Sequence, residues 1–248
     1  MYGSQSSDVY EFVHRGRGKD YRAEAEEVYR QIRARRPDAR TLLDVACGTG
    51  AHLRHFRELF DGAEGLELSE AMAGAATRLM PGVVVHAGDM RDFRLGHRYD
   101  AITCMFGSIG YARDEEELRR TLAGFAAHLT PGGVVAIDPW WFPDTYLDGH
   151  VSGDVVSEDG RTVARVSHSV RDGDASRMDV HYVLADAGGA RHFVEQHVIS
   201  LFGRTQYEAA FQGAGLTVEY LPDLHSGRGL FIGADRAGHP SRSTPTSQ

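Results

Sequence analysis

Apolar residues recur along this chain at two spacings, first helical and strand-like in alternation, later with period two. Over residues 21–36, charged and apolar positions alternate at helical spacing, with Ala23, Ala25, Val28 and Ile32 on or near one face; Pro37 and Asp38 end that helix. Thr41-Leu-Leu-Asp-Val-Ala46 is a short apolar strand, and the turn Cys47-Gly-Thr-Gly50 leads from it into a helix over 52–59. The order then repeats. A strand at 64–68 precedes a helix capped by Ser69 and running to about residue 79, followed by strands at 83–86 and 99–104. A helix over 115–129 follows, capped by Asp114 and opening with carboxylates, and the turn Pro131-Gly-Gly133 leads into a fifth strand at 134–138. Near-continuous apolar strands alternating with helices predict an α/β fold, a parallel sheet covered on both faces.

Beyond Pro139 the period becomes two. Residues 150–203 alternate in stretches broken by Glu158-Asp-Gly160, Asp172-Gly-Asp174 and Ala187-Gly-Gly189, which are turn signals between antiparallel strands. The pattern predicts an inserted antiparallel sheet over about 140–203. Thr205 is expected to cap a helix over 206–214 that Gly215 ends, with strands at 216–220 and 229–233. We expect residues 1–234 to form a single domain: an N-terminal lid (1–36), a nucleotide-binding core (37–138), the inserted sheet, and a C-terminal helix and strands (205–234). The Gly, Pro, Ser and Thr content of 235–248 predicts a disordered tail.

Composition narrows the function. With 42% hydrophobic and 25% charged residues in 248, the chain is of ordinary globular type. Its net charge of −8 provides no basic field for nucleic acid or an anionic membrane. No apolar run reaches the roughly 18 residues of a membrane span, and residues 1–12 lack the pattern of a signal peptide. Cys47 and Cys104 show no CxxC spacing, so neither a disulfide framework nor a metal site is predicted, and a cytoplasmic location is expected.

The sharpest chemical signal is Leu43-Asp-Val-Ala-Cys-Gly-Thr-Gly50. Glycines between a strand and a helix let a ligand approach the backbone. Leu53 stands where the third glycine of GxGxxG would be, and GxxxxGK[ST] is absent, so the dinucleotide fingerprint is incomplete and a P-loop is ruled out. Asp44 ends the strand before Gly48 and Gly50. Glu67, at the end of the next strand, is spaced to grip ribose hydroxyls. Past the third strand, Asp89 can accept from an adenine amino group and Met90 can pack on its ring. A plain βα turn, a nicotinamide site and another cofactor site remain as readings of these residues alone.

Outside this core lie the basic cluster Arg15-Gly-Arg-Gly-Lys19, the aromatic run Trp140-Trp-Phe142, and Arg165-Val-Ser-His-Ser169, whose residues 165, 167 and 169 share a strand face. Ser226-Gly-Arg-Gly229 adds another arginine. Arginines around aromatics suit a phosphorylated, ring-containing ligand, with Arg15, Trp141, Phe142, Arg165, Ser169 and Arg228 as candidates.

The acidic strand ends, the glycine loop and Gly88-Asp-Met90 together resemble the class I S-adenosylmethionine (SAM) methyltransferases over residues 41–138. A narrower resemblance runs over residues 1–234: His14-Arg-Gly-Arg-Gly-Lys-Asp-Tyr21, Gly65-Leu-Glu-Leu-Ser69, Gly88-Asp-Met-Arg-Asp-Phe93, Thr103-Cys-Met-Phe106, Ser108-Ile-Gly110, Pro139-Trp-Trp-Phe-Pro143 and Ser226-Gly-Arg-Gly-Leu-Phe231. These resemble the dTDP-3-amino-3,6-dideoxyhexose N,N-dimethyltransferases of macrolide amino-sugar biosynthesis, the desosamine and mycaminose type. The resemblance implies a Rossmann-like, mostly parallel seven-stranded sheet with the inserted antiparallel sheet on the substrate side. It also implies SAM as methyl donor, S-adenosylhomocysteine as product, a dTDP-linked amino sugar as substrate, and a homodimer. It assigns Ala46, Glu67, Asp89, Met90 and Met105 to the SAM pocket, closed by Tyr21 and Arg17. It directs Trp141, Arg165, Ser169 and Arg228 toward the sugar nucleotide, with Tyr2 reaching the amino sugar. The family pattern has His after Ser-Ile-Gly; this chain has Tyr111, a poor base at neutral pH. Tyr111 and His14 are the proton-handling candidates. Methylation of another small-molecule amine or hydroxyl, and SAM binding without catalysis, are the competing readings.

Overall fold

A computed structural model of the chain describes residues 9–222, 224 and 227–235. In chain order, helices α1 (Tyr10–Gly16) and α2 (Tyr21–Arg35) precede β1 (Thr41–Val45), α3 (Leu53–Leu59), β2 (Gly62–Glu67), α4 (Glu70–Leu79), β3 (Val85–Ala87) and β4 (Tyr99–Cys104). A 3₁₀ turn (Ser108–Tyr111), α5 (Glu115–Ala127) and β5 (Leu129–Ile137) follow. Four long strands come next: β6 (His150–Glu158), β7 (Arg161–Asp172), β8 (Ala175–Asp186) and β9 (Gly189–Ser200). Helix α6 (Arg204–Gly213) and strands β10 (Glu219–Leu221) and β11 (Leu230–Ala234) close the fold.

The first sheet has the order β10-β11-β5-β4-β1-β2-β3. The strands from β5 to β3 pair in parallel, and β11 pairs antiparallel to β5. Leu42, Leu43 and Val45 on the central strand are fully buried, as a strand covered on both faces requires. Strand order reverses at β1, whose neighbours β2 and β4 lead away in opposite directions, so a ligand crevice opens beyond the carboxyl ends there.

The second sheet is a meander, β6-β7-β8-β9, joined by the three predicted turns. Its inner face buries Val163, Arg165 and Ser167 on β7, Val180 and Tyr182 on β8, and Glu195 and His197 on β9. Val9 and Val13, at and within α1, pack onto this face against Val163, Val180, Tyr182 and Leu184. The outer face leaves Val151, Val155, Val166, Val183 and Val194 between 45% and 71% exposed.

Three local expectations are corrected. The polar segment before residue 20 contains α1, which is only seven residues long and is held by its packing onto β7 and β8. Strand β5 starts at Leu129 and carries Pro131-Gly-Gly133 inside it as an irregularity, with a register shift between Tyr99 and Ala101. Thr205 does not cap α6; the Gly203 N–H donates to Gln206 Oε1 at 2.7 Å, so the helix starts at Arg204. Asp114 and Ser69 do cap α5 and α4, accepting from the N–H groups of Glu117 and Met72. The expected tail lies outside the described residues except for Asp235, which bridges to Leu216. Among the described residues, no helix is long and apolar enough to cross a membrane.

Candidate active site

A cavity of about 1090 Å³ lies between the carboxyl ends of the parallel strands and the inner face of the second sheet, with α1 and α2 along its edge. Its floor is the β1 loop. Ala46 (φ 55°) and Gly48 (φ 59°) are both left-handed, which opens the loop toward the cavity; Ala46 is a strained choice there. Glu67, at the end of β2, ties the floor together: its Oε2 accepts from the Gly48 N–H and its Oε1 from the Ser69 N–H, each at 2.8 Å. Burial pushes the Glu67 carboxyl up, and these backbone donors partly offset it. Asp44 sits beneath the loop, where its Oδ1 accepts from Thr103 Oγ1 at 2.8 Å. Burial raises its carboxyl to about 6. Asp89 and Met90 line the same end, with Asp89 ion-paired to Arg91 at 2.6 Å.

The N-terminal edge carries a buried charge group. Glu24 accepts from Lys19 Nζ and lies 2.7 Å from His52 Nε2. Burial works against the Glu24 charge, but His52 and Lys19 outweigh it and hold the carboxyl at about 2. Lys19 Nζ also sits 4.0 Å over the Phe106 ring. Beside it, His14 is held at about 3 by burial first, then by the positive charges of Arg165, Arg17 and Lys19.

The opposite wall is cationic and aromatic. Arg165 projects inward from β7 and is 6% exposed. Its Nη1 donates to Ser167 Oγ at 3.0 Å, its Nη2 lies 4.0 Å from Met178 Sδ, and its Nε is buried without a partner. Tyr182, opposite it on β8, also bonds to it, and the carboxylate opposite it on β6, Asp154, is paired with Arg17, so two guanidinium groups share one carboxylate, an arrangement that suits an anionic ligand. Arg228 is already paired with Asp138 at 3.0 Å and stands 5.4 Å from Trp140 and 5.9 Å from Trp141. Tyr111 Oη lies 2.8 Å from His197 Nδ1.

The cavity thus brings together Arg17, Ala46, Gly48, Glu67, Asp89, Met90, His14, Tyr111, Trp141, Arg165 and Arg228. It does not gather every candidate. Arg17 lines the cavity but on the side of the second sheet, where its Nε pairs with Asp154 on β6 at 2.7 Å. Arg15 pairs with Glu158 on the surface. Gly50 faces α4, where a Cβ would meet Met80 Cε at 2.2 Å. Met105 is core, packed with Val134 and Ile232. Tyr21 lies edge-on to His52, outside the lining. Phe142 packs among Tyr207, Tyr220 and Phe231. Ser169 is buried beside the His150 carbonyl, between His150 and Met178, which line the cavity while it does not. Tyr2 and Ser226 fall outside the described residues. Residues that sequence reasoning missed include His197, Tyr182 and Glu24. The alternation Glu195, His197, Ile199 marked an inward strand face, yet nothing local distinguished His197 from a structural histidine.

The residues fit SAM. A buried carboxylate at the β2 end is backed by two backbone donors, a left-handed loop gives close access, and Asp89 with Met90 lies at the far end. A metal-type grouping, Glu64, His86 and His97, brings ligand atoms within 4.8 Å of one another, outside this cavity.

Residues 42–133 match the model of a methyltransferase domain. The chain is 56% identical over 94% of its length, and 99% of the relative's, to dTDP-3-amino-3,4,6-trideoxy-alpha-D-glucopyranose N,N-dimethyltransferase of Streptomyces venezuelae. It is 50% identical, over 97% of its length and 95% of the relative's, to dTDP-3-amino-3,6-dideoxy-alpha-D-glucopyranose N,N-dimethyltransferase of Streptomyces fradiae. A SAM-bound structure of an amino pentose methyltransferase involved in calicheamicin biosynthesis, from Micromonospora echinaspora, superposes with a TM-score of 0.84 at 49% identity, covering 91% of this chain and 96% of that one.

Proposed function

We propose, from the premise that this chain belongs to the SAM-dependent dTDP-amino-sugar N,N-dimethyltransferases, that it methylates the C3 amine of a dTDP-3-amino-3,6-dideoxyhexose twice in succession. The observation that carries this reading is Arg165, a buried guanidinium whose one nearby carboxylate, Asp154, is paired with Arg17, in the cavity whose other end holds Glu67 and the glycine loop. SAM, when bound, supplies a methyl group on a sulfonium, an electrophile that a neutral amine can attack.

In this reading Glu67 accepts from the ribose hydroxyls, and Asp89 and Met90 flank the adenine. Arg165, with Arg17 beside it, holds the diphosphate; Arg228 and the two tryptophans flank the sugar nucleotide. Residues 1–36 act as the lid that excludes water. Catalysis comes mainly from orientation and desolvation. His14, held at about 3, cannot keep a proton released by an amine at neutral pH, so its role here is as a hydrogen-bond acceptor. Residues 1–234 work as one methyltransferase domain, and the buried thiols Cys47 and Cys104 suit a reducing cytoplasm.

Incubation with SAM and dTDP-3-amino-3,6-dideoxyglucose is expected to add two methyl groups, read by mass spectrometry. A product without added methyl groups, with SAM still bound, would overturn the substrate assignment.

We also propose a homodimer in which the outer face of the second sheet meets a second copy. Val151, Val155, Val166, Val183 and Val194 are exposed there, with Val155 and Val183 flanking Ala164 in one cross-strand row, and exposed apolar side chains grouped on one face mark protein contacts. Val166 and Val194 flank His181 in one cross-strand row. The double substitution Val166→Lys and Val183→Lys is expected to convert a dimer into a monomer in analytical ultracentrifugation. A wild-type protein that sediments as a monomer at micromolar concentration would refute the interface.

A further inference from the structure

We propose that Tyr111, His197 and Glu195 form a proton relay from the substrate amine into the second sheet, an inference that rests on the amine-methylation reading above. Tyr111 ends the 3₁₀ turn and faces the cavity. Its Oη is 2.8 Å from His197 Nδ1. His197, 3% exposed, has its Nε2 3.6 Å from Glu195 Oε2, two residues earlier on the same face of β9. Glu195 is itself 8% exposed, and that oxygen accepts no hydrogen bond.

The backbone fixes this arrangement in advance. Ser200 Oγ donates to the Ala112 carbonyl at 2.7 Å, pinning the residue after the turn to the end of β9. Gly110 lies so close to β9 that a Cβ would meet Ile199 Cγ2 at 2.5 Å. The carboxylate also selects a tautomer: it favours a proton on His197 Nε2, leaving Nδ1 to accept from the phenol. Tyr182 on β8, Arg165 and Arg161 on β7, Asp154 on β6, and His14 and Arg17 from the N-terminal segment also face this side of the sheet. Both Arg165 and Glu195 act on Tyr182.

The proton balance is simple. A sugar ammonium gives one proton to Tyr111 Oη as the phenol gives its own to His197 Nδ1. The amine is left neutral and the imidazole becomes imidazolium beside the Glu195 carboxylate; the proton then leaves to water. The second methylation needs the same step, because the monomethylammonium formed in the first round carries a proton that must go before its nitrogen can attack. A phenol alone is a poor base at neutral pH, but as a conduit to an imidazole it need not hold the proton.

The test compares wild type with Tyr111→Phe and Glu195→Gln. At pH 7 each variant is expected to lose about tenfold in kcat and to accumulate monomethylated sugar. By about pH 9, above the roughly 8 expected for an amine of this kind, the loss should vanish because the ammonium gives its proton to solvent without help. In the ligand-free protein, nitrogen NMR of the imidazole is expected to show the His197 proton on Nε2, toward Glu195, and this tautomer preference is expected to weaken in Glu195→Gln. A kcat deficit equal at all pH values in either variant, or a His197 tautomer unchanged by Glu195→Gln, would overturn the relay. Absence of methyl transfer by the wild-type protein would instead overturn the function it rests on, and the imidazole tautomer would still decide the His197–Glu195 coupling.

Discussion

Replacing Glu67 with alanine is expected to raise the Kd for SAM by about a hundredfold or more, about 2.7 kcal/mol. Two losses combine. The ribose loses its acceptor, and the Gly48 and Ser69 N–H groups lose the partner that positions them. Buried donors left without partners cost about 1–3 kcal/mol each. Glu67→Gln separates the two effects. Its one carbonyl oxygen can serve Gly48 or Ser69 but not both, so its affinity should fall between those of the alanine variant and the wild type. Calorimetric titration with SAM reads both variants, and circular dichroism checks that the fold survives. An unchanged Kd in Glu67→Ala would remove Glu67 from the cofactor site.

Arg165→Met should act in two opposite directions. The KM for the sugar nucleotide is expected to rise by about a hundredfold, while the Kd for SAM stays where it was. At the same time the ligand-free protein should melt a few degrees higher. A buried guanidinium that bonds Ser167 and Tyr182, lies against a methionine sulfur and shares the one nearby carboxylate, Asp154, with Arg17 is poorly compensated. Replacing such a charge with an apolar side chain of similar length is often neutral or stabilising by about 1–4 kcal/mol. A stability gain coupled to lost affinity marks a residue kept for binding rather than folding. Thermal melting and steady-state kinetics decide it. A lower melting temperature with an unchanged KM would reassign Arg165 to a structural role.

Much of this was legible in the sequence because the relevant signals are local. Strand β4 coincides with the apolar run at 99–104, and the three Gly-containing turns of the second sheet fall where the period-two pattern breaks. The caps at Ser69 and Asp114 were readable for the same reason: a short oxygen-bearing side chain stands just before a helical period. Helix α1 was not readable, because its seven residues owe their shape to β7 and β8, more than a hundred positions away in the chain. The same holds for the misplaced candidates. Phe142 follows two tryptophans that touch the cavity and yet turns into the core against Phe231; Met105, at the end of a strand, does likewise. Arg15 and Arg17 look equivalent in sequence, but one pairs with Glu158 on the surface and the other with Asp154 at the cavity wall. Tyr111 was visible as a departure from the family pattern. Its partner His197, across the cavity on β9, was visible only in three dimensions.

The second sheet has consequences for how enzymes of this kind diverge. Along β7, Arg165 and Ser167 face the cavity while Val166 between them faces outward. Point changes can therefore alter the cavity wall at positions such as 165 and 167 and the outer surface at positions such as 166. A single inserted or deleted residue within the strand has no such freedom, because it exchanges the two faces at once and turns the guanidinium out and the valine in. Lineages descended from this scaffold should thus vary by substitution inside the four strands and confine changes of length to the turns at 159–160, 173–174 and 187–188.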